Sequence, residues 1–169
     1  MKNSLFQRLF NRQDGTGQSQ NADHSLLDGL QVLVVDDSRT QLYAIERMLK
    51  SVGVSTLLAE NGKQGILMAR HKLPDLILMD IVMPEINGFQ ATRYLTRTPE
   101  TRHIPIIIIS GSDQESDKAW GLKLGARDYL SKPVNKDLLL NKICTVLVEA
   151  ASPKSKDNAS NQSSVAQAV

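Results

Sequence analysis

The feature that most restricts this chain is an alternation of two periodicities. Short apolar runs occupy residues 31–35, 54–59, 76–79, 106–109 and 128–130, and between them apolar residues fall at helical spacing. Leu42, Ile45, Met48 and Leu49 recur every one to three residues on one helical side, and the repeat stops at Gly53, a natural helix terminator. Asn61 is placed to cap a second helix whose apolar side is Ile66, Leu67 and Ala69. Pro84 and Asn87-Gly88 mark a loop before a third helix that runs to about residue 97. Further helices are predicted over 113–124, ended by Gly125, and over 135–148. The run 106–109 is all isoleucine and predicts a strand buried on both faces. Five strands alternating with five helices predict an α/β fold: a parallel sheet, helices on both faces, right-handed crossovers.

For five βα units the common open arrangement is flavodoxin-like, (βα)5 with strand order 2-1-3-4-5, and chemistry collects beyond the carboxyl ends of its strands. The ordered block is 30–149, about one ordinary domain within the 169 residues. A regulator carrying its own DNA-binding domain would need more chain. Residues 13–29 are polar and Gly-containing and read as a flexible linker, while 150–169, with five Ser and few apolar groups, read as a disordered tail. The block holds 15 Lys/Arg against 14 Asp/Glu, so it lacks the basic footprint of a nucleic-acid partner. A lone Cys144 excludes an internal disulfide framework and a multi-cysteine zinc site. Runs such as 106–109 are too short to span a bilayer, and no secretion signal is visible, which makes the cytoplasm the expected location.

Few polar residues directly follow the apolar runs. Asp36 and Asp37 end the first, Asp80 the third, Ser110 the fourth, and Lys132 lies just past the fifth. In the order 2-1-3-4-5 the first and third strands are neighbours, so three carboxylates converge in one crevice, with Lys132 and Ser110 opposite. One Asp at a strand end is ordinarily a turn or a cap; all five together are not accounted for by capping. Three crowded carboxylates repel one another, and a hard divalent cation such as Mg²⁺ resolves the conflict. No His or Cys stands near these positions, which argues against zinc. Mg²⁺, a lysine and a hydroxyl suit charge spread over a transferring phosphoryl group. With no phosphate-binding G-x-x-x-x-G-K-[ST] loop, the nucleophile is expected to be a side chain, and Asp80 is placed for it.

The runs VLVVDDS, LILMDIVMPEINGF, IIIISGS and GARDYLSKPV resemble the receiver domain of two-component response regulators across residues 30–149. The resemblance implies that Asp80 accepts a phosphoryl group from a phosphohistidine of a sensor histidine kinase. It further implies that Asp37 and Asp80 ligate Mg²⁺ directly, Asp36 through water, and the main-chain carbonyl of Val82 as well. Lys132 would pair with phosphoryl oxygens after a cis Lys132–Pro133 peptide, Ser110 and Gly111 would line the phosphate, and Ser110 and Tyr129 would form a switch. Gly111 departs from the family's usual Ala, and an apolar Val82, with Ser112, flanks the path of a hydrolytic water. The stretches LMDIVMPEINGFQATRYLTR and DQESDKAWGLKLGARDYL are similar to single-domain twitching-motility regulators of the type IV pilus chemosensory system, with Trp120 either part of that likeness or a packing aromatic.

The implied function is that of a stand-alone response regulator whose phosphorylation reshapes the face of the fourth helix, fifth strand and fifth helix toward a downstream protein. Two alternatives differ in output. A phosphate sink shares every site residue, whereas a phosphohydrolase of haloacid-dehalogenase type wants an acid where Val82 stands. Residues 2–12 carry Leu5, Phe6, Leu9 and Phe10 on one helical face, with Lys2, Arg8 and Arg12. They read either as an amphipathic helix for a partner groove or the inner-membrane surface, or as a disordered extension.

Overall fold

The computed structural model describes residues 27–112 and 114–151. Its elements are β1 (Gln31–Val35), α1 (Arg39–Lys50), β2 (Ser55–Ala59), α2 (Gly62–Lys72), β3 (Leu76–Asp80), α3 (Gly88–Arg97), β4 (Ile106–Ser110), α4 (Glu115–Lys123), β5 (Asp128–Ser131) and α5 (Lys136–Ala151). All strands are parallel, in the order β2-β1-β3-β4-β5, as the alternation predicts. The fold is the flavodoxin-like (βα)5 sheet.

The central strands β3 and β4 are buried throughout, so they can be continuous apolar runs rather than alternating ones. Alternate residues still serve different layers. Val32, Val34, Leu76, Leu78, Ile107, Ile109 and Leu130 pack with Leu42, Ile45 and Leu49 of α1 and Leu139, Leu140 and Ile143 of α5. Leu33, Val35, Ile77, Met79 and Ile106 pack with Ala69 of α2 and Ala91 and Leu95 of α3. A smaller cluster on that second side joins Ile81, Ile108, Ala126 and Tyr129, with Phe89 against it.

Two departures from the sequence expectation concern the ends of the domain. Leu27, inside the predicted linker 13–29, is fully buried in the α1/α5 layer, and its carbonyl accepts from the Leu30 amide while Gly29 donates to Gly53. An isolated Leu26-Leu27 pair in a polar stretch leaves no periodicity to detect. Helix α5 continues to Ala151, beyond the predicted start of the tail, because helical hydrogen bonding outlasts the apolar repeat. The predicted amphipathic segment 2–12, the rest of the linker and residues 152–169 lie outside the described residues. Leu27→Ala is expected to lower stability by about 2–3 kcal/mol in urea denaturation. A dispensable linker residue would cost nothing.

Candidate functional site

The register sets the site. Val35 of β1 pairs with Met79 of β3, so Asp36 and Asp80 leave neighbouring strands at the same height. Side chains alternate along a strand. Asp36 continues the parity of Val32 and Val34, Asp80 that of Leu76 and Leu78, and Lys132 that of Leu130. All three therefore leave on the α1/α5 side. Ser110 instead shares parity with Ile106 and Ile108, and Tyr129 packs with Ile108 on the other side of the sheet.

The contacts follow. Lys132 Nζ lies 2.8 Å from Asp36 Oδ2 and 2.8 Å from Asp80 Oδ1, with all three side chains largely buried. The other Asp36 oxygen accepts from the Ser38 amide at 2.9 Å, and the Ser38 hydroxyl caps α1 by accepting from Gln41. Asp37 is exposed, yet a carboxylate oxygen from each of Asp36, Asp37 and Asp80 lies within 4.8 Å of the others. Formal charges of −3 and +1 leave a deficit that a divalent cation would match, and the donors are hard oxygens of the kind Mg²⁺ takes. The residues fit that ion.

Burial pushes the Asp80 carboxyl above its ordinary range, against the pull of the Lys132 hydrogen bond and charge, and Asp36 and Asp37 add to the rise. For Lys132, burial works against the charge, but hydrogen bonds to Asp36 and Asp80 outweigh it and hold the ammonium above its usual value. A carboxyl with a raised folded-state pKa favours the fold fully only below its unfolded pKa, and that contribution is lost as pH rises through the raised value. At neutral pH, Asp80 is a load on stability. Asp80→Asn is accordingly expected to melt above wild type at pH 7 in magnesium-free buffer, with the gap narrowing toward about pH 4. A variant melting at or below wild type at pH 7 would contradict this.

Ser110 is buried, and its hydroxyl accepts from the Ser112 amide at 3.1 Å. Tyr129 is already turned in, its hydroxyl donating to the Ser112 carbonyl. The predicted pair thus meets through the backbone of Ser112. The strands tie this side to the ammonium, since the Lys132 amide donates to the Ser110 carbonyl at 2.7 Å. Lys132–Pro133 is cis. Val82 is 73% exposed and stands at the mouth of the β3 exit. A β-carbon on Gly111 would meet nothing within 4 Å, so space does not demand glycine there.

One residue the sequence reading treated only as part of a loop belongs to the site. Asn87 is the N-cap of α3, exchanging hydrogen bonds with Gln90 in a capping box. That cap lays Gly88 against the end of β3, where its amide donates to the Ile81 carbonyl at 2.9 Å. A β-carbon there would lie 2.0 Å from the Asp80 carbonyl oxygen. The signal was present as Asn followed three residues later by Gln.

An open doubly wound sheet with a buried carboxylate, two further acids and a lysine at its topological switch point defines a class of α/β domain whose site lies beyond the carboxyl ends of its strands. Within it, the chain belongs to the response regulator receiver domain family, whose model matches residues 32–144. It is 54% identical over 116 residues to Protein PilH of Pseudomonas aeruginosa, covering 69% of this chain and 96% of PilH. Protein PilG of the same organism is 35% identical over 116 residues, covering 69% of this chain and 86% of PilG. Among solved structures, the receiver domain of the sensor histidine kinase PA1611 of Pseudomonas aeruginosa superposes with a TM-score of 0.66. That domain is 31% identical, with 71% of this chain and 98% of that one covered, and it has a magnesium ion coordinated in its active site cleft.

Proposed function

We propose that this receiver accepts a phosphoryl group on Asp80 from the phosphohistidine of a sensor histidine kinase. The observation that carries the reading is the Asp80 carboxylate, buried at a strand end and held at 2.8 Å by the Lys132 ammonium. A carboxylate oxygen of Asp80 attacks phosphorus, the P–N bond breaks, and its electron pair stays with the imidazole, which takes up a proton from solvent. Lys132 Nζ lies at Asp80 Oδ1 and offers its charge to the phosphoryl oxygens. Asp36, Asp37, Asp80 and the Val82 main-chain carbonyl would hold Mg²⁺, which when bound neutralises phosphoryl charge. Ser110 and Gly111 are assigned to the phosphate, and Ser110 with Tyr129 to the switch, through the Ser112 link described above.

The output is a change in protein contacts. The α4–β5–α5 face supports this: α4 buries only Gly121 among its nine residues. Trp120, Leu122 and, on α5, Leu138 stay exposed, with Lys123 Nζ 5.6 Å from the Trp120 ring centroid. The likeness to PilH favours a role in type IV pilus and twitching control, acting in the cytoplasm. Among the described residues no helix is long and apolar enough to cross a membrane; any contact with the inner membrane would fall to residues 2–12.

The test is labelling with radioactive acetyl phosphate, with magnesium or with chelator. Wild type is expected to label only with magnesium, and Asp80→Asn not at all. An unlabelled wild type, or a labelled Asn variant, overturns the assignment. Phosphotransfer from candidate kinases, then pull-downs with and without a beryllofluoride mimic, separates a regulator from a phosphate sink.

A further inference from the structure

The cations of this domain are unevenly satisfied. Arg39 pairs with Glu60, Lys50 with Glu46, Lys142 with Asp128, and Lys132 with Asp36 and Asp80. None of these cations lies on α2 or α3. Those two helices carry Lys63, Arg70, Lys72, Arg93 and Arg97, contain no acid, and pack side by side through Ile66, Ala69, Ala91 and Leu95. None of the five cations makes an ion pair among the described residues. The block is nearly neutral as a whole, so this is a local excess of one sign.

The α3 part of this surface has a concavity. An open groove of about 480 Å³ runs along the end of α3, lined by Gln90, Arg93, Tyr94, Arg97, Thr98 and Pro99. Arg93 and Arg97 are one helical turn apart and so project on the same side. Between and beyond them lie Tyr94, 44% exposed, and the Pro99 ring. The helix bearing them is well anchored: Gly88, Ala91, Thr92 and Leu95 are buried, and the Thr96 hydroxyl donates to the Leu124 carbonyl at 2.9 Å.

We propose that the outer side of α3, centred on this groove and flanked by the cations of α2, is a docking surface for an acidic segment of a partner protein, separate from the α4–β5–α5 face. Guanidinium groups match carboxylates with paired hydrogen bonds, and the apolar floor between them takes an aliphatic or aromatic side chain from the same segment. A trough with an apolar floor suits a chain that alternates carboxylates with apolar groups. A plane of lipid headgroups would leave it unfilled. The phosphorylation site is not involved, because no groove residue contacts Asp80 or Lys132.

The test uses the full chain and a fluorescent peptide of Glu, Asp and Leu, beside a counterpart with Gln and Asn. Wild type is expected to bind the acidic peptide alone, more weakly as salt rises. Arg93→Glu with Arg97→Glu should weaken binding at least about tenfold, and Tyr94→Ala should weaken it without changing the salt dependence. Lys118→Glu with Arg127→Glu, which alters net charge equally on exposed positions elsewhere, should leave binding intact. Equal losses in the two double variants would reduce the effect to net charge and overturn the proposal. So would binding of anionic phosphatidylglycerol vesicles in place of the peptide, or self-association that disappears in the groove variant, since these assign the face to a membrane or to a second copy.

Discussion

Lys132→Ala is expected to slow magnesium-dependent labelling of Asp80 by about a hundredfold, measured as the initial rate with acetyl phosphate. Removing one preorganised donor to a charge-developing oxygen typically costs roughly 10²–10³ in rate. Here Lys132 is the cation that touches both buried carboxylates, at 2.8 Å each. The same change is expected to lower the melting temperature at neutral pH, because Asp36 and Asp80 stay buried while losing their shared partner. The two effects can be separated. Adding Asp80→Asn to Lys132→Ala should restore much of the stability, since one of the two unpaired carboxylates disappears, yet restore no labelling. A non-additive gain in the double variant marks the contact as direct. Labelling at the wild-type rate in Lys132→Ala would remove the ammonium from the reaction.

The fold was legible because two periods alternate without interruption: 31–35 and 76–79 could not be helices at their length, and Leu42 to Leu49 could not be a strand. The neighbouring exits of β1 and β3 brought Asp36, Asp37 and Asp80 together from order alone, with Lys132 expected opposite, and the structure supplies its contacts to Asp36 and Asp80. What strand ends alone did not convey was side. By alternation Ser110 shares the parity of Ile106 and Ile108, with its hydroxyl on the Ser112 amide, while Lys132 shares that of Leu130 and reaches Asp36. Counting parity from the buried runs would have found this. Leu27 was illegible for a different reason. Its burial comes from docking under α1 and α5, and one Leu-Leu pair in a polar stretch has no period. The helical extent of α4 was also overestimated, at 113–124 against Glu115–Lys123, because Gln114 caps it without a side-chain hydrogen bond and Leu124 serves as its C-cap. Asp113 itself lies outside the described residues.

Gly88→Val is expected to destabilise the protein by roughly 4 kcal/mol or more in chemical denaturation, a large share of the stability of an ordinary domain, about 5–15 kcal/mol. The reason is space and not backbone freedom. A β-carbon at Gly88 would lie 2.0 Å from the Asp80 carbonyl oxygen, 2.8 Å from its carbonyl carbon and 2.9 Å from the Ile81 α-carbon. All three atoms are main chain and cannot swing aside, unlike the end of a flexible side chain. Relief requires moving either the start of α3, fixed by the Asn87–Gln90 box, or the exit of β3, fixed by its pairing with β4. The second movement displaces Asp80 from Lys132, so any folded fraction should label more slowly than its population alone predicts. Gly111→Ala is the contrast, because its β-carbon would enter open space one residue past Ser110. That change is expected to shift stability by no more than about 0.5 kcal/mol. Similar denaturation midpoints for the two variants would mean that α3 does not press on the strand that carries Asp80.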